Sequence, residues 1–325
     1  MSKFIGRLVD VGIGKETTRG EGATPAIHLP VNSFSFDDKV TKARSGGSLS
    51  KLEDSEEAFV TTQYSQGDLE GEIRSDSFGY LLYAMLGTYS VDGPTDSSYT
   101  HTFTLSHSNQ HQSLALVVHD PNTTELYKLV MLETLEFAAE LDEIVKYTAS
   151  FISKRATTTG LTVPDVTSES KFTKKHIQIR VADDLTGLTS ATALAIKSLS
   201  LNISKNTAID DVLGTAEPED ILNHQISIEG EITLNYEDET WKNYMKNNSN
   251  KSLEIRLVNT DVTIGASTNP SLTLRFPKVD FYDWEPDYSL DDIVTQTLSF
   301  KANRDVANNA DAISTCILIN DVASY

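Results

Sequence analysis

Residues 141–155 have the sequence LDEIVKYTASFISKR, and residues 290–304 have the sequence LDDIVTQTLSFKANR. Without a gap, the two stretches are identical at eight of fifteen positions. Such self-similarity indicates an internal repeat, which bears on the architecture before any single motif does. The two stretches are 149 residues apart, so the repeated unit is the size of a domain.

Weaker matches occur in the same order along the chain. They pair LEGEI at 69–73 with IEGEI at 228–232, SFSF at 33–36 with SLSL at 198–201, and SLALVV at 113–118 with SLEIRL at 252–257. Two unrelated β-rich domains with chance matches would be the alternative. Four matches in one order favour two tandem copies of one fold.

The patterns between these matches predict a mainly β protein with one helix in each copy. Alternating apolar residues, such as Leu199, Leu201 and Ile203, are typical of half-buried antiparallel strands. Apolar residues at helical spacing predict a helix near 77–86, which Ser75 or Asp76 would cap and Gly87 would end. A second helix is predicted near 237–247. The predicted strands are 32–36, 68–73, 100–105, 113–118, 127–132, 146–153, 177–181, 195–203, 225–234, 252–258, 271–276, 278–282 and 295–302.

The domain organisation follows from the repeat. The first domain is predicted at residues 1–156 with an N-terminal arm at 10–30, the linker at 157–175, and the second domain at 176–325 with a C-terminal extension. A long polar loop is predicted between the early strands of each copy, at residues 37–66 and 204–224. Loops of this length are usually functional or ordered by a partner.

Composition limits the possible partners. The chain has 325 residues, 39% of them apolar, and a net charge of −20 from 47 acidic and 27 basic residues. The acids are spread over both halves, with 22 in residues 1–156 and 25 in the remainder. Proteins bind the phosphates of duplex DNA through Lys and Arg. Tight binding to DNA or to an anionic membrane is therefore not expected. No run approaches the roughly 18 apolar residues of a membrane helix, so no membrane-spanning segment is expected either.

The residues offer no constellation for catalysis. There is no nucleophile elbow, no phosphate loop and only one cysteine, Cys316, and the seven histidines are scattered. Acidic pairs two residues apart recur in both copies, and a repeated pair indicates a structural role. We therefore expect a protein that is not an enzyme, with no catalytic residue, no cofactor and no metal.

A duplicated β-fold without a catalytic set suits assembly. Two similar copies can occupy adjacent equivalent positions in a ring, so three chains would give six quasi-equivalent units. Exposed sheet edges could pair across copies into a continuous wall. Rings have two different faces, so head-to-tail stacking would produce a tube.

The chain resembles the tail tube (major tail) proteins of long-tailed bacteriophages and related archaeal viruses. The resemblance rests on IGRLVDVGIGKE at 5–16, FSFDDK at 34–39, and DLEGEI at 68–73 running into the predicted helix. It implies two tandem β-barrel or sandwich tail-tube folds, each with one flanking α-helix. It also implies stacked rings around a lumen through which DNA is ejected into the host.

The resemblance gives specific residues an expected role. Ring-stacking loops would contain Asp37, Asp38, Lys39, Arg44, Lys51, Asp54, Glu56, Glu57, Asp210, Asp211, Glu217 and Glu219. The lumen would be lined by Glu70, Glu72, Glu229 and Glu231. The partners would be further copies of the chain, as a trimer in each ring, and other tail proteins, while viral DNA passes without specific binding. The protein would belong to the virion tail, be assembled in the host cytoplasm and bind no membrane.

Two other functions are compatible with the same patterns. The chain could be another assembling β-protein, such as a secretion-system tube, a fibre or a minor tail protein. It could also be a carbohydrate-binding or hydrolytic β-domain, which would need exposed aromatic side chains on one sheet face or an asymmetric pair of carboxylates. Trp284 is the one candidate for such a platform, whereas Trp241 is predicted to pack in the core.

Overall fold

The fold is mainly β, as predicted. The computed structural model describes residue 3, residues 5–47 and residues 50–325. Its two α-helices in these residues are α1 (Phe78–Leu86) and α2 (Thr240–Lys246), and neither is long and apolar enough to cross a membrane. The strands β1 to β19 are, in chain order, Asp10–Lys15, Ile27–His28, Ser33–Arg44, Ala58–Glu72, Gly87–Thr95, Ser98–Leu105, Leu114–His119, Thr124–Ala139, Lys146–Ser153, Thr157–Thr158, Ile177–Ala182, Ile196–Ser204, Ala208–Asp210, Asp220–Leu222, Ser227–Asn235, Lys251–Val258, Ser271–Asp287, Thr295–Ala302 and Thr315–Asn320.

The first half forms two layers that share the long strand β8. In one layer β3 pairs with β4, β4 with β9, and β9 with the second part of β8. In the other layer the first part of β8 pairs with β7, and β7 with β1. All these pairs are antiparallel. Helix α1 follows β4 and packs against β8.

The second half has the same succession of pairs. Strand β12 pairs with β15, β15 with β18, and β18 with the second part of β17. The first part of β17 pairs with β16, and β16 with β11. Helix α2 follows β15 and packs against β17, as α1 follows β4 and packs against β8. The long strands β8 and β17 thus occupy matching places in the two halves.

A glycine marks the same point in both sheets. Gly67 lies between Phe36 and Phe151, and Gly230 lies between Leu201 and Phe300. A β-carbon would lie 1.7 Å from the Ser35 carbonyl oxygen at Gly67, and 2.4 Å from the Ser200 carbonyl oxygen at Gly230. The neighbouring backbone therefore approaches so closely that only glycine fits without a shift.

This register corrects one match in the sequence. Pairing LEGEI at 69–73 with IEGEI at 228–232 places Gly71 on Gly230. Gly71 lies opposite Tyr147, whereas Gly230 lies opposite Phe300, and the repeat at 141–155 matches Phe300 with Phe151. The equivalent of Gly230 is therefore Gly67, and the LEGEI match is displaced from the structural register by four residues. Glu70 and Glu72 are not the register equivalents of Glu229 and Glu231.

Helix α1 is buried on nearly every side, with only Tyr83 partly open. The predicted cap by Ser75 or Asp76 is wrong, because the carboxylate of Glu169 accepts the backbone N–H groups of Asp76 (3.2 Å) and Ser77 (2.7 Å). A carboxylate at this place also interacts favourably with the positive end of the helix dipole. Gly87 ends the helix in the left-handed conformation, with φ of 87°, as predicted.

Asp76 is expected to stabilise the folded protein less when ionised at neutral pH than when protonated. Burial raises the pKa of Asp76 from 3.8 to about 6, and the charges of Asp321 and Glu169 add to this effect. The folded protein therefore binds this proton more tightly than the unfolded chain. The resulting stability is full below about pH 4 and is lost as the pH rises through 6. We expect Asp76→Asn to raise the melting temperature at pH 7 and to leave it nearly unchanged at pH 4. An equal gain at both pH values would contradict this assignment.

The two halves are joined into one sheet. Residues 134–139 of β8 pair with residues 199–204 of β12. This produces eight adjacent strands in the order β3-β4-β9-β8-β12-β15-β18-β17, which we call the long sheet. The C-terminal strand β19 pairs with β17 on one side and with β6 of the first half on the other.

Four predicted irregular segments are more ordered than expected. The predicted arm at 10–30 contains β1, whose Val11 and Ile13 are fully buried. Most of the predicted loop at 37–66 is the hairpin of β3 and β4, and the loop at 204–224 contains the small hairpin of β13 and β14. The linker region packs on the first half through β10 and the buried Phe172.

Candidate assembly surfaces

The open side of the long sheet is strongly acidic. Side chains on this side alternate with buried residues, as on β4, where Asp68 and Glu70 alternate with Leu69 and Gly71. We call this side the acidic face. Its paired positions hold three lysines, Lys39, Lys146 and Lys301, against the acids Asp37, Asp68, Glu70, Glu72, Glu136, Glu229, Glu231, Asp280, Asp283, Glu285 and Asp287. Most of the remaining positions are Ser or Thr.

The four predicted lumen residues all lie on this face, but they differ in exposure and in whether a cation pairs with them. Glu70 and Glu231 are exposed. Glu72 is 3.1 Å from Arg74 and 2.7 Å from Lys171, and Glu229 is 2.6 Å from Lys301. Glu70 and Glu231 therefore present the freer charges.

The ion pairs shift the pKa values of the other two carboxyls. Burial acts to raise the pKa of Glu72, but the bonds to Lys171 and Arg74 outweigh it, so this pKa lies below its ordinary value. The hydrogen bond from Lys301, with a second from Ser227, lowers the pKa of Glu229. Both carboxylates therefore stay ionised at neutral pH.

The long sheet has an open edge at each end. Among the described residues, β3 pairs only with β4, and residues 280–287 of β17 pair only with β18. Unpaired edges are templates for pairing with another chain. The structure thus offers two edges without a partner strand, at opposite ends of one sheet.

The predicted stacking residues fall into three groups. Asp37, Asp38, Lys39 and Arg44 lie on strand β3, which corrects their prediction as loop residues. Residues Lys51, Asp54, Glu56 and Glu57 lie in the exposed connection from β3 to β4, and Asp210, Asp211, Glu217 and Glu219 lie on β13 or in the turn after it. The β3–β4 hairpin also exposes apolar side chains, at Val40, Leu52, Phe59 and Val60.

The hairpin of β13 and β14 is held on the first half by a residue that the sequence did not indicate. The Arg19 guanidinium donates to Asp220 (2.6 Å), to the carbonyl of Ile221 (2.6 Å) and to the carbonyl of His111 (2.8 Å). Arg19 lies in a glycine-containing segment without periodicity, so no local pattern marks it. Ile221 is fully buried beside Met131.

Removing Arg19 should loosen this hairpin. Arg19→Ala leaves the half-buried Asp220 carboxylate without its cation and costs about 1.5–3 kcal/mol of unfolding free energy, the usual range for hydrogen bonds to charged groups. Arg7→Ala is the control, because Arg7 is exposed. Urea unfolding of both variants measures the difference. Equal midpoints for the two variants would show that the Arg19 contacts are not stabilising.

Two histidines that the sequence offers for catalysis or metal binding are used in packing. His111 is buried and contacts the carbonyls of Met85 and Ser106, and His101 lies between Tyr89 and Asn320. Over residue 3 and the ranges 5–47 and 50–325, no cluster of His, Cys, Asp and Glu could hold a metal ion. Trp284 is half-buried, donates to Gln296 and has Lys242 over its ring, so it is not a free aromatic platform.

Comparison with known proteins identifies a family for this chain. A search of curated proteins finds no match. The family model described as phage tail tube protein matches residues 6–302, which include both halves and both open edges of the long sheet. Members of this family are structural components of the virion tail, and the match covers nearly the whole chain. The chain therefore belongs to the phage tail tube protein family.

Proposed function

We propose that this chain polymerises as rings of three chains, which stack head-to-tail into a tail tube that conducts DNA into the host. One observation carries the proposal. The long sheet spans both halves of the chain, presents the acidic face on its open side and, within the described part of the chain, has an unpaired edge at each end.

The shared succession of strand pairs supports two copies of one fold in the chain. We assign the copies to residues 1–156 and 176–325, joined by residues 157–175. Two copies side by side occupy adjacent positions in a ring, so three chains fill six positions with true threefold symmetry. The pairing of β8 with β12 is then the contact between neighbouring positions within one chain.

Three long sheets would close into a wall of 24 strands. With strands about 4.8 Å apart, such a wall is at least roughly 37 Å across between backbones. Barrels of about 16–18 strands already enclose an aqueous channel. The lumen of the ring would therefore be a wide and open passage.

The acidic face would line this passage. Neutralising phosphates with Lys and Arg is what makes DNA bind proteins. A wall with an excess of carboxylates repels the duplex and lets it slide without specific binding. Glu70 and Glu231, with the freer charges, contribute most to this repulsion, and the salt-paired Glu72 and Glu229 contribute less.

Stacking between rings would use the segments that project from the long sheet. These are the connection from β3 to β4, with Lys51, Asp54, Glu56 and Glu57 and the nearby Arg44, and the β13–β14 hairpin with Asp210, Asp211, Glu217 and Glu219. Other tail proteins would meet the end rings through the same segments. Assembly would take place in the host cytoplasm, without a membrane and without an enzymatic step by this chain.

Mass photometry and negative-stain electron microscopy of the purified chain test the proposal. The expected result is rings or tubes with six peripheral lobes, and a ring mass of three times 35.8 kDa. Six chains per ring would contradict the assignment of two ring positions to each chain. Particles that stay monomeric at every concentration, also on purified tail initiation complexes, would contradict the proposal as a whole.

A further inference from the structure

We infer that the open edge of β3 in one chain pairs antiparallel with residues 283–287 of β17 in a second copy, in a defined register. Ser35 lies opposite Asp287, Phe36 opposite Pro286, Asp37 opposite Glu285, Asp38 opposite Trp284 and Lys39 opposite Asp283. This inference rests on the proposed ring and specifies the strands and side chains that close it.

The template is the pairing between the two halves inside one chain. Residues 134–139 of β8 run antiparallel to residues 199–204 of β12, with Ala138 opposite Ser200 and Glu136 opposite Asn202. This pair joins the last strand of one four-stranded unit to the first strand of the next. In a ring of equivalent positions, the same edges meet again between chains.

The register of β3 follows from its own neighbour. Phe36 lies opposite Gly67 as Leu201 lies opposite Gly230, and each glycine has the carbonyl of a serine, Ser35 or Ser200, pressed against it. Ser35 therefore takes the place of Ser200 on the open edge.

The register of β17 follows in the same way. Thr134 lies opposite Ser150, and Asp283 lies opposite Ser299. The repeat at 141–155 matches Ser150 with Ser299. Asp283 therefore takes the place of Thr134, and Asp287 takes the place of Ala138. The positions of β3 and β17 both follow from pairings within the chain. The register between the two strands is therefore fixed, with no free choice of shift.

Charged side chains face each other across this junction, which they do not in the template. Asp37 would face Glu285 across the junction, and Lys39 would face Asp283. The Lys39 ammonium is already 3.1 Å from the Asp37 carboxylate, so it would stand among three carboxylates and offset their repulsion. Lys39 is thus the one cation that this register brings to the junction.

Pro286 removes one hydrogen bond from the junction. A proline within a sheet is tolerated where its missing N–H faces away from the neighbouring strand. The β17–β18 pairing continues past Pro286 to Asp287, so the missing donor faces the open edge. One hydrogen bond is absent opposite Phe36, and a shift of register would move this gap onto another residue.

Cysteine cross-linking tests the register. Facing residues in antiparallel strands have Cα atoms about 4.5–5.5 Å apart, within the range of a disulfide. In Ser35→Cys/Asp287→Cys rings, mild oxidation should link chains into covalent dimers and trimers on a non-reducing gel. The intrachain control Ala138→Cys/Ser200→Cys should form its disulfide without any increase in mass. The native Cys316 is fully buried, and the wild-type chain measures its background.

A displaced pair controls for chance contact. Asp37→Cys/Asp287→Cys is two residues out of register, at a diagonal distance of about 7–8 Å, and should link far less. Rings that form but link better through the displaced pair, or link through neither pair, overturn the inference and leave the ring intact. Absence of rings in the wild-type chain, also on purified tail initiation complexes, overturns the proposed function instead.

A charge swap provides a second readout. Lys39→Glu replaces the cation that stands among Asp37, Asp283 and Glu285 with another carboxylate. It should abolish rings, while the circular dichroism spectrum of the monomer stays unchanged. Lys39→Glu/Asp283→Lys restores the opposite-charge pair and should restore the rings. Rings that survive Lys39→Glu, or that are not recovered by the swap, would contradict the pairing of these two residues.

Discussion

Gly230→Ala is expected to lower the unfolding free energy by about 3 kcal/mol, the upper range for inserting one carbon into a packed core. The added carbon would lie 2.4 Å from the Ser200 carbonyl oxygen and 2.6 Å from the ring of Phe300. Strand β12 cannot retreat, because it is held between β15 and β8. Urea unfolding followed by circular dichroism measures the loss.

Two other glycines separate crowding from the general effect of losing a glycine. Gly160 has no atom within 4 Å of an added β-carbon, so Gly160→Ala should be neutral or slightly stabilising. Gly67→Ala would bring the new carbon even closer to backbone, but β3 is an edge strand and can move away. We therefore expect Gly67→Ala to cost less than Gly230→Ala. The reverse order would show that β3 is held as firmly as β12.

Reversing charge on the acidic face should convert a non-binding lumen into one that retains DNA. In the proposed ring, Glu70→Lys/Glu231→Lys places six lysines in the wall. For each phosphate that a new lysine neutralises, the logarithm of the binding constant should fall by about 0.9 for each tenfold rise in salt. Wild-type tubes should not retain duplex DNA at low salt, and variant tubes should retain it in a strongly salt-dependent way.

A control with the same change of net charge is available away from the acidic face. Asp165 and Glu237 are exposed and lie outside the paired positions of the long sheet. Asp165→Lys/Glu237→Lys should leave the lumen unchanged. Equal retention of DNA by the two variants would show that overall charge, and not the acidic face, governs the passage.

The sequence predicts the parts of the fold that have a strong local period. Strands β9 and β18 have the predicted bounds, and helix α1 starts one residue later than predicted. Each combines buried residues at a regular spacing with a clear turn at its ends. The repeat at 141–155 is the most informative feature, because it falls on β9 and β18 and matches their places in the two halves.

Sequence patterns fail where tertiary contacts replace local periodicity. The residues of β3 beyond Phe36 are mostly exposed, so the period-two pattern is absent, and only the pairing with β4 extends the strand. The prediction of an arm at 10–30 misses β1, whose two glycines obscure its strand pattern. The LEGEI match misleads because identity over five residues is weaker evidence for equivalent positions than the pairing register of the strands.

The candidate surfaces are predictable in part. The acidic pairs are expected to share one face, and the sheet places all four residues on it. The salt bridges of Glu72 and Glu229 are not predictable, because their partners Lys171 and Lys301 are distant in sequence. The open edges appear only when the pairing of all strands is known.

Cryo-electron microscopy of the assembled tube, at a resolution that separates strands, tests the central proposal most directly. We expect a wall of 24 strands from three chains per ring, with β3 of each chain beside β17 of the next and the acidic face towards the lumen. A ring built from six chains, or a lumen lined by the opposite side of the long sheet, would contradict it.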